Sequence, residues 1–102
     1  MPFHVEHDES RYLIRVEGEV ALPDAAELKN HLLAGFATEG KLCVDLQLAS
    51  DIDLSGLQLL YAAVCQAHKA GTGMAIRLSA EVESRLALAG FDFRDTTAAW
   101  SD

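Results

Sequence analysis

Apolar residues fall in two rhythms along this chain, and the rhythms mark its elements. Alternation runs through Phe3-His-Val-Glu-His7 and again through Arg11-Tyr-Leu-Ile-Arg-Val-Glu17, where Tyr12, Ile14 and Val16 share one face. A period of two predicts strands. Asp8-Glu9-Ser10 between them is turn chemistry, so the pair predicts an antiparallel hairpin. Gly18 is expected to break the second strand, and Glu19–Leu22 lead to a helix. Pro23 and Asp24 mark its start, and Glu27 completes a capping box with Asp24. Ala25, Leu28, Leu32 and Phe36 follow at helical spacing, with Leu33 widening the stripe. Glu27, Lys29, Asn30 and His31 fall on the other side.

Beyond Gly40 the rhythm changes. Lys41–Leu46 is apolar on both faces, as in a central parallel strand covered on both sides. A second helix runs from Gly56 to about Ala70. It buries Leu57, Leu60, Val64 and Ala67, with Leu59 and Ala63 alongside and Gln58, Gln66 and Lys69 on its polar flank. Gly71-Thr-Gly73 stops it. Met74–Leu78 is a short strand, and Ser79 caps a third helix carrying Val82, Leu86 and Ala89. Gly90 ends that helix, and Phe91 and Phe93 tuck back onto the core. The last stretch, to Trp100, reads as either an edge strand or a final helical turn. The order ββαβαβα predicts a single α/β domain over residues 1–102: a mixed sheet with an N-terminal antiparallel hairpin, then parallel βαβαβ, and helices packed over it.

Composition narrows the function. Sixteen acidic against eight basic residues give a net charge of −8, which repels phosphate backbones and anionic lipid, and the basic residues are scattered. Neither nucleic-acid binding nor direct membrane insertion is expected; the acidity reads first as solubility. The longest apolar runs fall short of a bilayer span, and the start lacks the basic residues of a signal peptide, so a cytoplasmic location is expected. Cys43 and Cys65 lack metal-ligand spacing and read as free thiols, one on a strand and one on a helix.

Ser55-Gly56 sits at the joint between the Lys41–Leu46 strand and the second helix. There Ser55 is expected to accept from the free amides of the first turn, as its N-cap. Asp51 and Asp53 place carboxylates ahead of the positive end of the helix dipole. Such a corner suits a phosphate or a partner, and it is equally what a capped helix looks like. No phosphate-cradling glycine motif and no zinc-protease motif is present. Ser55 has no base near it in sequence. His4, His7, His31 and His68 are spread over four elements and read as solvated. Two carboxylates without further ligands make a weak metal site. No catalytic residue, metal or cofactor is expected, and an enzyme is not.

Several stretches, in order, resemble a STAS domain of the anti-sigma factor antagonist type. Ile14-Arg-Val-Glu-Gly-Glu-Val20 is similar to the family's strand ending in Gly-Glu-Leu, and Ala25-Ala-Glu-Leu-Lys29 to its first helix. Val44-Asp-Leu46 followed by Asp53-Leu-Ser-Gly-Leu57 resembles its strand and Asp-Ser-Ser-Gly-Leu signature, and Ala89-Gly-Phe91 its late Gly-Leu turn. The resemblance implies a mixed sheet with helices over it and a non-catalytic binding module in bacterial signalling. Many members are switched by a kinase that phosphorylates the first Ser or Thr of the signature. Here that position is Leu54, which has no hydroxyl, and Ser55 matches the second Ser; the Asp that follows Gly-Glu-Leu is replaced by Ala21.

The resemblance implies a protein partner: an anti-sigma-type kinase, a chemotaxis-type signalling kinase, or the ATPase of a lipid transporter. The expected contact residues are Asp53, Leu54, Ser55, Gln58 and Tyr61, with Cys65 beyond them on the same helix. A switch displaced to Ser55, a Ser55-dependent hydrolase and a self-associating scaffold are the alternatives. Monomer or dimer is left open.

Overall fold

The computed structural model describes residues 3–38, 40–91 and 93–100. Strands β1 (Phe3–His7) and β2 (Arg11–Val20) form the expected hairpin. Asp8 organises its turn: Oδ1 accepts from the Ser10 amide and hydroxyl at 2.7 Å each and from the Arg11 amide at 3.0 Å. A 3-10 turn at Leu22–Asp24 precedes α1 (Ala25–Phe36), followed by β3 (Lys41–Ile52), α2 (Leu54–Ala70) and β4 (Met74–Leu78). Helix α3 (Ala80–Ala89) comes next, and the chain then turns through α4 (Arg94–Ala98), so the open choice at the end resolves as a helical turn. The sheet order is β1-β2-β3-β4, antiparallel at β1–β2 and parallel at β2–β3 and β3–β4. That is the mixed sheet the element order predicts.

One face of the sheet carries the core. Ile14, Val16, Leu42, Val44, Leu46 and Ile76 are sealed against Leu28 and Leu32 of α1, Leu57 and Leu60 of α2, and Val82 and Leu86 of α3. Each such side chain, fully removed from water, contributes on the order of 1.5–3 kcal/mol. Phe93 is buried in the same cluster and Phe91 packs on its rim, as the sequence predicts. On the reverse face Leu13, Cys43 and Ala75 form a small second cluster under Trp100. In the next row Arg15, Asp45 and Arg77 stand in register across three strands. The Arg77 guanidinium lies 4.6 Å from the centre of the Trp100 ring, and Lys41 Nζ donates to the Ala99 carbonyl at 2.6 Å.

Four local expectations are corrected. Gly18 does not end β2; it sits within the strand at φ +74°, a conformation open to glycine, and the strand runs on to Val20. Strand β3 extends past Leu46 to Ile52, because the β2–β3 register shifts twice and places an extra β3 residue opposite β2 each time. Core-facing positions therefore change from every second residue (Leu42, Val44, Leu46) to every third (Leu46, Ala49, Ile52), a period that hides a strand. The Asp24–Glu27 capping box does not form. Asp24 Oδ2 accepts instead from the Ala21 amide at 3.0 Å, closing the 3-10 turn, and Glu27 reaches His31 Nε2 at 3.2 Å. Leu33, expected in the apolar stripe, is exposed, as is Ala89 at the end of α3.

Candidate functional site

The start of α2 is held from two sides, by β2 and by α3 with its cap. The Asp53 amide donates to the Val20 carbonyl at 3.1 Å, fixing the corner to the end of β2. Arg85 of α3 donates from Nη2 to the Ile52 carbonyl at 3.1 Å, and its Nε stands 3.5 Å from Asp51 Oδ1. Ser79 caps α3 as expected, accepting from the Val82 amide at 3.2 Å, while its hydroxyl donates to the Ala49 carbonyl at 2.8 Å. The last turn of β3 is thus bolted to both neighbours. Inside the corner, a Cβ on Gly56 would stand 2.7 Å from Ile52 Cγ1 and 2.9 Å from Cδ1, so glycine is what lets α2 pack this closely onto β3.

The cap itself is not Ser55. Asp53 is the N-cap residue, with extended φ −77° and ψ 173°, and its Oδ1 accepts from the Gly56 amide at 3.1 Å. Ser55 lies one residue inside the helix, and its hydroxyl donates to the same Oδ1 at 2.7 Å. The helix therefore starts two residues before the expected Gly56. An aspartate caps as well as a serine does and adds a full charge at the positive end of the dipole. The Ser55 hydroxyl, the Gly56 amide and, more weakly, the Arg85 charge hold the Asp53 carboxyl below the usual carboxylate range.

Leu54 is the first residue of α2 and is 54% exposed. Leu54, Gln58, Tyr61 and Cys65 recur at i, i+4, i+7 and i+11, which at about 3.6 residues per turn places them in one stripe along the helix. All four are exposed. Tyr61 is less free than its position suggests: its ring stacks on Phe91 at 5.0 Å and on Phe93 at 6.2 Å. Beside the stripe runs a shallow groove of about 380 Å³ between α1 and α2, lined by Ala25, Ala26, Lys29, Ser55, Gln58 and Leu59. The sequence reading missed the α1 wall. Helical spacing places Ala25 on the core stripe and Lys29 in solvent, and no local signal shows that α2 stands beside them.

The structure brings Asp53, Leu54, Ser55, Gln58 and Tyr61 onto one end and one side of α2. It does not gather the histidines: His31 pairs with Glu27 on α1, and His4, His7 and His68 are exposed on β1 and α2. Among the described residues no three His, Cys, Asp or Glu side chains come together to hold a metal ion, and no helix is long and apolar enough to cross a membrane. Cys43 is buried and Cys65 exposed, both free thiols.

A family model described as Mlab, STAS domain matches residues 3–93. No curated protein sequence matches the chain. Among solved structures, an anti-sigma factor antagonist from Mycobacterium paratuberculosis superposes with a TM-score of 0.75 at 23% identity, covering 98% of this chain and 93% of its own. The anti-sigma factor antagonist SpoIIAA in its unphosphorylated form gives 0.66 at 18% identity, over 86% of this chain and 80% of its own. An antisigma-factor antagonist STAS domain from Rhodobacter sphaeroides gives 0.54 at 20% identity, over 79% and 86%. At these identities the likeness is one of fold.

Proposed function

This chain belongs to the STAS domain family, and we propose that it is a non-catalytic cytoplasmic module that docks a bacterial signalling protein through the start of α2 and is not switched at the family's phospho-acceptor position. The observation that carries the reading is Leu54: an exposed leucine, with no hydroxyl to modify, at the point where the signature places its acceptor. An apolar anchor ringed by Asp53, Ser55, Gln58 and the half-covered face of Tyr61 has the make-up of a contact hot spot with a polar rim. The partner is a kinase of the anti-sigma or chemotaxis type, or the ATPase of a lipid transporter; the Mycobacterium paratuberculosis and SpoIIAA structures, which cover most of this chain, are anti-sigma factor antagonists. No cofactor enters this reading.

The Ser55 hydroxyl already donates to Asp53. A phosphate there would set two anionic groups against each other and pull the cap apart, which favours the unswitched reading over a displaced phosphosite. The experiment is a side-by-side capture from source-cell lysate with the wild-type domain and Leu54→Asp, followed by calorimetric titration of the captured protein after purification. A kinase or ATPase bound by wild type and lost with the variant supports the reading; equal affinity for both removes it. Intact-mass measurement of the native protein addresses the alternative, since a phosphate adduct that disappears in Ser55→Ala would restore the switch.

A further inference from the structure

We propose that two copies of this chain pair through the free edges of their β1 strands, antiparallel and centred on Val5, to make one continuous eight-stranded sheet. The inference is independent of the function proposed above. Strand β1 is the end strand of the sheet, and its pairing with β2 runs without a bulge from Phe3↔Val16 to His7↔Tyr12. Between Phe3 and His7 it has no proline, no lysine and no bulge, and Glu6 is the one fully charged side chain on it.

Which main-chain groups face outward follows from the hairpin. The Asp8 amide donates to the Arg11 carbonyl at 3.0 Å, making that a hydrogen-bonded pair. Hydrogen-bonded and non-hydrogen-bonded pairs alternate along an antiparallel ladder, so Glu6↔Leu13 and His4↔Arg15 bond inward. Phe3, Val5 and His7 turn their N–H and C=O groups away from β2, toward the open edge. A second β1 can meet them only in registers that place odd-numbered residues opposite odd-numbered ones.

Three such registers overlap well, and the Glu6 carboxylate, which stands 3.7 Å from Arg15 Nη1 of its own chain, separates two of them. Centring on His4 stacks the two His4 side chains, and centring on Glu6 stacks two carboxylates, which repel. Centring on Val5 pairs Val5 with Val5 and Phe3 with His7 twice, for about six main-chain hydrogen bonds at two per pair. It also sets each His4 opposite the other copy's Glu6. The strand Phe3-His-Val-Glu-His7 is self-complementary about its middle residue, as a two-fold interface requires. Val5, an apolar side chain left 38% exposed, lies at the axis.

The test is sedimentation equilibrium of the full chain over a concentration range reaching about 1 mM, the millimolar regime that resolves weak association. The expected result is a mass rising from 11.0 kDa toward twice that value. Val5→Pro removes an outward N–H but no bond to β2, and should weaken association by at least about tenfold while keeping the wild-type circular dichroism. Glu6→Lys should weaken it too, and His4→Glu combined with Glu6→Lys should restore it. If Val5→Pro does not fold, the charge pair carries the test alone. A wild type that stays at 11.0 kDa, a dimer indifferent to Glu6→Lys, or a double variant that fails to regain the dimer overturns the proposal.

Discussion

The hydroxyl of Ser55 donates to the carboxylate of Asp53 across 2.7 Å, so the residue that looks like the helix cap is the one that steadies it. Capping strength therefore resides in Asp53. Asp53→Ala should cost about 1 kcal/mol of unfolding free energy, and Ser55→Ala only a few tenths, in urea titrations at neutral pH. The Asp53 carboxyl is held below the usual range when folded, so its contribution is complete above the unfolded value, roughly pH 4, and is lost as pH falls through the folded one. The gap between wild type and Asp53→Ala should accordingly close in acid; a gap that persists there would assign the loss to packing.

Leu54→Asp touches an exposed position and places a carboxylate in the first turn of α2. Its stability should stay within about 0.5 kcal/mol of wild type by thermal unfolding. Partner affinity should fall by roughly 2 kcal/mol or more, the scale of a hot-spot residue. Lost affinity accompanied by a large loss of stability would point to folding, with no role for Leu54 as an anchor.

Gly56→Ala sets helix propensity against packing. Alanine is ordinarily better in a helix by about 1 kcal/mol. Here its Cβ meets Ile52 Cγ1 at 2.7 Å, and relieving such an overlap costs about 1–3 kcal/mol. Net destabilisation is expected. Ile52→Ala in the same chain should take back part of it, so that the double variant is less destabilised than the sum by at least about 0.5 kcal/mol in a double-mutant cycle.

Asp45 is the one buried charge among the described residues, and it lies on the reverse sheet face. Burial by itself pushes its pKa up. The hydrogen bond from Arg77 at 2.7 Å, the Gln47 amide at 2.9 Å and the charges of Arg77 and Arg15 outweigh that and hold the carboxyl below the usual range. Asp45→Ala should cost about 2 kcal/mol, the scale of the charge-assisted hydrogen bonds that Asp45 accepts from Arg77 and the Gln47 amide. With the folded value depressed, this contribution too is present above about pH 4 and lost as pH falls below it. A flat stability difference between pH 3 and pH 7 (about the range of carboxylate titration) would contradict the assignment.

The elements, their order and the mixed sheet are legible in the chain before any folding is considered. Those follow from periodicities of two and 3.6 and from stop signals such as Gly71 and Gly90, both at positive φ. The corner at Asp53–Gly56 is legible too, whereas Leu54, Gln58 and Tyr61 come together only through the family resemblance, and it is the earlier helix start that puts Leu54 in one stripe with the other two. The remaining features are not legible locally, because each depends on a neighbour distant in the chain. The extra β3 residues at its two register shifts exist only against β2, and they carry that strand to Ile52. Asp53 displaces Ser55 as cap because Val20 and Arg85 fix the backbone that aims its carboxylate. The open edge of β1, with Val5 at its middle, is visible only once the strand order places β1 at the end of the sheet. Local pattern records which face a residue prefers; which strand or helix comes to lie against that face is settled by the packing of the whole chain.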